Sequence, residues 1–162
     1  MLIASFALGL AALTYLFDNM LSRQANPNQR PQILASETGI REVVLLQNRQ
    51  GHYVASGLIN SVPVTFLLDT GATDVAVPAT IAQRADLPLG MESRAATANG
   101  VVRVFSTRID TLEIGNIVLH DINASITPSM EGDTILLGMS ALRQIEFSQQ
   151  GERLTLRQFP DR

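Results

Sequence analysis

Val64-Thr65-Phe66-Leu67-Leu68-Asp69-Thr70-Gly71-Ala72-Thr73-Asp74-Val75-Ala76-Val77-Pro78 is the stretch on which the fold turns. An apolar run carries a single carboxylate straight into Thr-Gly-Ala, and a second apolar run follows almost at once. Apolar runs this short, bounded by Gly and Pro, read as buried strands. Burying an ionised carboxylate is costly unless it is hydrogen-bonded or shares a proton. Asp69 at the end of such a strand therefore points to chemistry rather than packing.

Working outward, the flanking sequence repeats the same pattern of short apolar runs and turn residues. Strands are expected at Glu42–Gln47, His52–Ile59, Val62–Leu68 and Val75–Val77, with turns at Gln50-Gly51 and Asn60-Ser61. Pro78 suits the first turn of a short helix reaching Ala85, which ends before Pro88. Further strands are expected at Arg94–Thr97 and Val101–Ile109, joined by Asn99-Gly100, a strong hairpin signal. Leu112–Ile114 and Ile117–Leu119 flank Gly115-Asn116, and Ile122–Ile126 and Thr134–Leu137 follow. A short helix is expected at Ser140–Gln144, then a last hairpin of Ile145–Ser148 and Arg153–Arg157 across Gln150-Gly151. The fold class is all-β, a closed or strongly curved antiparallel barrel with one or two short helices.

Composition narrows the function. The chain has 162 residues, 46% of them hydrophobic, with a net charge of −3. All twelve basic residues are Arg and none of them cluster, which argues against nucleic-acid binding. The absence of Cys removes disulfides, thiolate nucleophiles and Cys-based zinc sites. His52 and His120 lack ligand spacing, so no metal is expected. An aspartyl-phosphate enzyme would need a nearby Lys and a βαβ alternation, and the chain has neither.

The N-terminal part differs in kind. Leu2 to Phe17 carries no charge, and Asp18-Asn19 interrupts the run before Met20-Leu21. Such a stretch sits at the short edge of what spans a bilayer, and residues 1–21 are expected to be a membrane anchor. A signal segment or a buried helix are the alternatives, although the run has no polar face. Residues 22–39 contain Pro27 and Pro31 and no sustained period, so they read as a flexible linker. The globular domain then covers 40–162.

Two features in this order carry a resemblance. One is Leu67-Leu68-Asp69-Thr70-Gly71-Ala72; the other, further on, is Ile135-Leu136-Leu137-Gly138-Met139-Ser140-Ala141-Leu142. Together they resemble the retropepsin-like aspartic proteases, and most closely the single-domain, membrane-anchored group of bacteria, over roughly Glu42 to Phe159. The resemblance implies a single-lobe acid-protease barrel behind an N-terminal hydrophobic helix, and an endopeptidase without cofactor that acts on peptide or protein substrates. It implies Asp69 as the catalytic acid, Thr70 and Gly71 as its support, and Ala72, Thr73 and Asp74 as substrate contacts. Thr97-Ala98-Asn99-Gly100 resembles the family's flap tip, so Ala98, Asn99 and Gly100 are expected to close over a bound peptide. Thr73 stands where retroviral members usually carry Asp, so their substrate preferences do not carry over.

The chemistry has its own logic. Hydrolysis by carboxylates alone needs one ionised group to take a proton from water and one protonated group to polarise the carbonyl. Asp133-Thr134 lacks the Gly and precedes a strand instead of ending one, so Asp69 has no mate in its own chain. The pair can be completed only by a second copy across a two-fold axis, hence a homodimer. The charged Arg153–Phe159 strand is a candidate for the dimer contact. Arg23, Arg30 and Arg41 follow the apolar segment and would favour a cytoplasmic domain. The resemblance instead implies a single-pass inner-membrane protein with a periplasmic domain, and that is the expectation adopted. A catalytically silent peptide-binding or dimerisation module of the same fold is the alternative.

Overall fold

The computed structural model describes residues 2–34, 39–97 and 100–160. In chain order the elements are α1 (Leu2–Ala25), β1 (Gln32–Leu34), β2 (Arg41–Leu46), β3 (Val54–Ile59), β4 (Val62–Leu68), β5 (Val75–Pro78) and α2 (Ala79–Arg84). They continue as β6 (Glu92–Thr97), β7 (Gly100–Ile114), β8 (Ile117–Thr127), β9 (Thr134–Leu137), α3 (Met139–Leu142), β10 (Glu146–Gln150) and β11 (Arg153–Gln158).

Seven strands form one sheet in the order β3-β4-β9-β5-β8-β7-β6, and β3 also pairs with β7, which closes the sheet into a barrel. Gly57 makes that closure possible. A Cβ at this position would run into the Glu113 carbonyl on β7 and the Phe66 ring, so only glycine fits the corner. Asn60 locks the same corner from the β3–β4 turn. It holds a positive φ of 45°, and its Oδ1 accepts from the N–H groups of Asp110 and Thr111 at 3.1 Å each. Inside the barrel Phe66, Val75, Val77, Ile109, Ile122, Ile135 and Leu137 are fully buried.

The expected all-β barrel is observed, with two differences. It is not wholly antiparallel, because β4 pairs with β9 and β5 with β8 in parallel. Strands β7 and β8 also run unbroken through Asp110 and Asp121, where shorter pieces were expected. Cross-strand pairing from Phe105↔Ile126 to Ile114↔Ile117 holds the two together, and Asp121 is accommodated at a φ of 56°.

A second sheet, β1-β2-β11-β10, is assembled from both ends of the chain. Here the chain differs, over residues 22–34, from the flexible linker expected at 22–39. Helix α1 continues to Ala25, Asn26 and Asn28 are buried, and β1 pairs with β2 from Gln32↔Val44 to Leu34↔Glu42. The Asn28 side chain bridges β2 and β3, two strands that belong to different sheets. Its Nδ2 donates to the Leu46 and Val54 carbonyls at 2.9 and 2.7 Å, and its Oδ1 accepts from the Leu46 N–H at 2.7 Å. Asn26 adds a bond from its Nδ2 to Ser56 Oγ at 3.0 Å. Composition gave no sign of this, because Asn and Pro are turn formers whether or not the turn is docked.

The expected transmembrane anchor is not supported. Among the described residues no helix is long and apolar enough to cross a membrane. Asp18-Asn19 breaks the apolar run, and the last turn of α1 is polar. The helix is not a core element either: Phe6, Leu8, Leu13, Tyr15, Leu16 and Phe17 are all exposed.

The Asn28 clasp generates a prediction. Replacing Asn28 by Ala removes three hydrogen bonds and leaves backbone groups of Leu46 and Val54 without partners, which should lower stability by about 2–4 kcal/mol. Denaturant unfolding of the full chain, wild type beside N28A, measures it. Equal midpoints would show that the clasp is energetically idle.

Candidate active site

Strand β9 threads between β4 and β5, and this sets the position of Asp69. Leu68 lies beside Leu137 in the parallel pair, and Ala76 beside Leu136 on the other side. The chain leaving β4 must therefore loop around the end of β9 before returning as β5. Asp69 is the first residue of that loop, and its N–H donates to the Leu137 carbonyl at 3.1 Å.

The loop is braced from below. Met139 and Ser140, at the start of α3, donate their N–H groups to the carbonyls of Ala72 and Thr73 at 2.8 and 2.9 Å. Gly138 allows this approach, since a Cβ there would collide with the carbonyls of Asp74 and Ala72. The buried Ser140 hydroxyl ties three segments together. It accepts from the Val75 N–H at 3.0 Å and donates to the Asn123 carbonyl at 2.7 Å.

Above this brace the Gly71 N–H donates to Asp69 Oδ1 at 2.9 Å. A Cβ on Gly71 would come within 3.1 Å of that same oxygen, so the glycine is part of the site. Asp69 is half-buried, whereas Thr70 and Gly71 are exposed at the apex of the loop. The carboxylate thus sits at the protein surface, held on one side and open on the other.

A cleft of about 740 Å³ opens over the loop. It brings together Asp69, Gly71, Ala72, Thr73 and Asp74 from the loop with Ala95, Ala96 and Thr97 of β6 and Val102 and Val104 of β7. Thr70 and Gly100 are not among its lining residues; Gly100 pairs with Thr97 at the end of the β6–β7 hairpin. Ala98 and Asn99 lie outside the described residues. Sequence reasoning missed the opposite wall, formed by Ser125, Thr127, Ser129 and Met130. No local motif marks them, because the β8–β9 connection reaches the cleft only through the β5–β8 pairing. Ala76 and Leu136 complete the floor.

Asp133 is no partner for Asp69. The register places it beside Val64, five strand positions from Asp69, or roughly 16 Å at about 3.3 Å per residue. It turns outward instead, 3.9 Å from Arg84. Among the described residues no three His, Asp or Glu side chains come close enough to hold a metal ion.

Comparison with known proteins agrees with this geometry. Residues 55–144 match the family described as gag-polyprotein putative aspartyl protease. A Sinorhizobium sp. protein known as an uncharacterized protein in the cobV 5′ region is 30% identical over 123 residues, 74% of this chain. The chain spans about half of that relative's length, 53%. A crystal structure of a retropepsin-like aspartic protease from Rickettsia conorii superposes with a TM-score of 0.58 at 24% identity, covering 80% of this chain and 95% of that one. An inhibitor-bound EIAV protease gives a TM-score of 0.45 at 23% identity, over 59% of this chain and 89% of its own. The match spans the catalytic-type loop, the hairpin above it and the strand threaded beneath it: the chain belongs to the gag-polyprotein-type aspartyl protease family and has the retropepsin-like fold.

Proposed function

We propose that this protein is an aspartic endopeptidase that hydrolyses peptide bonds as a homodimer, with Asp69 of each copy forming the catalytic pair. The observation that carries this reading is the Asp69 carboxylate itself. It ends a buried strand, accepts the Gly71 N–H, and opens onto a cleft whose other walls are mostly small or apolar. A carboxylate so placed is half of an acid–base pair. Two of them in contact share one proton, since both cannot ionise together, and the aspartic proteases are the standard case of this arrangement. The ionised member takes a proton from water while the protonated member polarises the scissile carbonyl. Thr70, at the exposed apex, is placed to meet the second copy. The β6–β7 hairpin covers the cleft and excludes water from a bound peptide.

Location follows a separate observation. The exposed apolar side chains of α1 suit attachment to a membrane, and we assign the catalytic domain to the periplasmic face of a bacterial inner membrane. Fractionation of cells into membrane and soluble parts at low salt, with protease protection of spheroplasts, tests this. A protein found wholly in the soluble part, or whose domain is shielded in spheroplasts, sinks the assignment.

The mechanism makes two predictions. Asp69→Asn keeps an oxygen for the Gly71 N–H, so the fold should persist while peptide cleavage falls by roughly 10²–10⁴-fold or more. Cleavage of a peptide library by the full chain, beside D69N and D69A, reads this directly. Activity surviving in either variant overturns the mechanism, and a folded wild-type dimer that never cuts favours a silent peptide-binding module. The second concerns pH. Raising pH removes the shared proton and with it the acid, while lowering pH protonates the base. The rate should therefore peak on the mildly acid side and fall in both directions, as properties of the pair and not of one residue. A rate independent of pH would exclude the shared-proton pair.

A further inference from the structure

Among the described residues, Asp74 carries the only charge in the cleft lining besides Asp69. Its place is fixed by the strand that follows it. Val75 and Val77 are fully buried in the barrel, so the alternation of β5 turns Asp74 and Ala76 to the opposite face, where both line the cleft. The backbone has little freedom there. Ser140 Oγ holds the Val75 N–H at 3.0 Å, and Gly138 lies so close to the Asp74 carbonyl that a Cβ would collide with it.

The Asp74 carboxylate is half-buried, yet among the described residues it has no hydrogen bond or ion pair. Other acids of the chain are met: Asp69 accepts the Gly71 N–H, Asp121 reaches Arg108, and Asp133 reaches Arg84. The cleft holds no cation to answer it, because among the described residues no Arg or His is part of the lining. The nearby hairpin arginines face the other way. Arg94 pairs with Arg103, whereas the cleft is lined by their neighbours Ala95, Val102 and Val104, and strand alternation puts the two sets on opposite faces. Arg103 instead lies over the Phe105 ring, 5.5 Å from its centre. Withdrawing a carboxylate from water without a partner is unfavourable, and a ligand that brings a cation offsets this.

We infer that Asp74 selects a basic side chain of the bound peptide, arginine before lysine, and so sets the class of substrate. This rests on the endopeptidase reading of the cleft and names what that cleft takes. The aliphatic stem of a basic residue suits small apolar lining such as Ala76 and Val102. A guanidinium presents a planar fork of N–H donors, two of which fit one carboxylate. The hydroxyls of Ser125, Thr127 and Ser129 on the opposite wall can accept from others. A lysine ammonium meets the same carboxylate only as a point charge. In a two-fold pair Asp74 stands on both sides of the catalytic centre, so the preferred peptide carries basic residues at matching places before and after the scissile bond.

Citrulline keeps the shape of arginine without its charge, which isolates the interaction. Two libraries of random peptides are compared, alike except that a central position holds arginine in one and citrulline in the other. The full chain should cut the arginine library about 10- to 100-fold faster at bonds near that position. Asp74→Asn should bring the two libraries nearly level, and added salt should narrow the gap in the wild type. A wild type that cuts both libraries equally, or an Asp74→Asn variant that keeps the gap, overturns the role of Asp74 and leaves the protease reading standing. A wild type that cuts neither library overturns the protease reading, and fluorescence anisotropy with labelled libraries then decides about Asp74. Tighter binding of the arginine library, lost in Asp74→Asn, upholds it; equal binding overturns it. If Asp74→Asn fails to fold, the comparison of arginine with citrulline on the wild type decides alone.

Discussion

The hydrogen bond from the Asp69 N–H to the Leu137 carbonyl is the joint on which the site depends. It exists only because β9 is threaded between β4 and β5, so that the end of one strand supplies an acceptor at the point where another turns away. Everything near it serves to keep that joint short. Gly138 gives up a side chain so that the Ala72 and Asp74 carbonyls can close in. Ser140, buried and doubly bonded, fixes the return strand to β8. A loop held from three segments has little slack, and the Asp69 carboxylate at its start is held in place with it.

The barrel can be understood as the support for this joint. Closure through β3 and β7 depends on one glycine and on one asparagine that satisfies two N–H groups at the corner. The parallel β4–β9 pairing, which the alternation of short runs did not suggest, follows from the threading: a strand inserted between two others that run in opposite directions must be parallel to one of them. Interior apolar residues from every strand of the ring then fill the space. The cleft lies over the Asp69 loop, walled by the β6–β7 hairpin and the β8–β9 connection, so its lining is drawn from segments remote in sequence.

What was legible in the sequence was local. An apolar run ending in Asp-Thr-Gly and the Leu137-Gly138 ending are each visible within a few residues, and they located the strands and the loop held between them. What was not legible depended on distance. The outer wall at Ser129 and Met130 is brought to the cleft by pairing, not by motif. Asp110 and Asp121 interrupt the hydrophobic pattern without interrupting the strands, because long antiparallel pairing tolerates an exposed acid. Residues 22–34 were misjudged for the same reason. Polar residues near prolines look like tether, and only the acceptors on β2 and β3 show that Asn28 is a structural part.

That last feature changes the mechanics of the molecule. Asn48 Nδ2 bonds the Ala25 carbonyl at 3.1 Å and Arg49 bonds Gln24 at 3.2 Å, so the end of α1 is fastened to the β2–β3 turn just before Asn28 is clamped. A loose tether would let the barrel swing through a wide arc relative to α1. A fastened mount gives it a bearing, so the direction of α1 and the direction in which the cleft opens are set together.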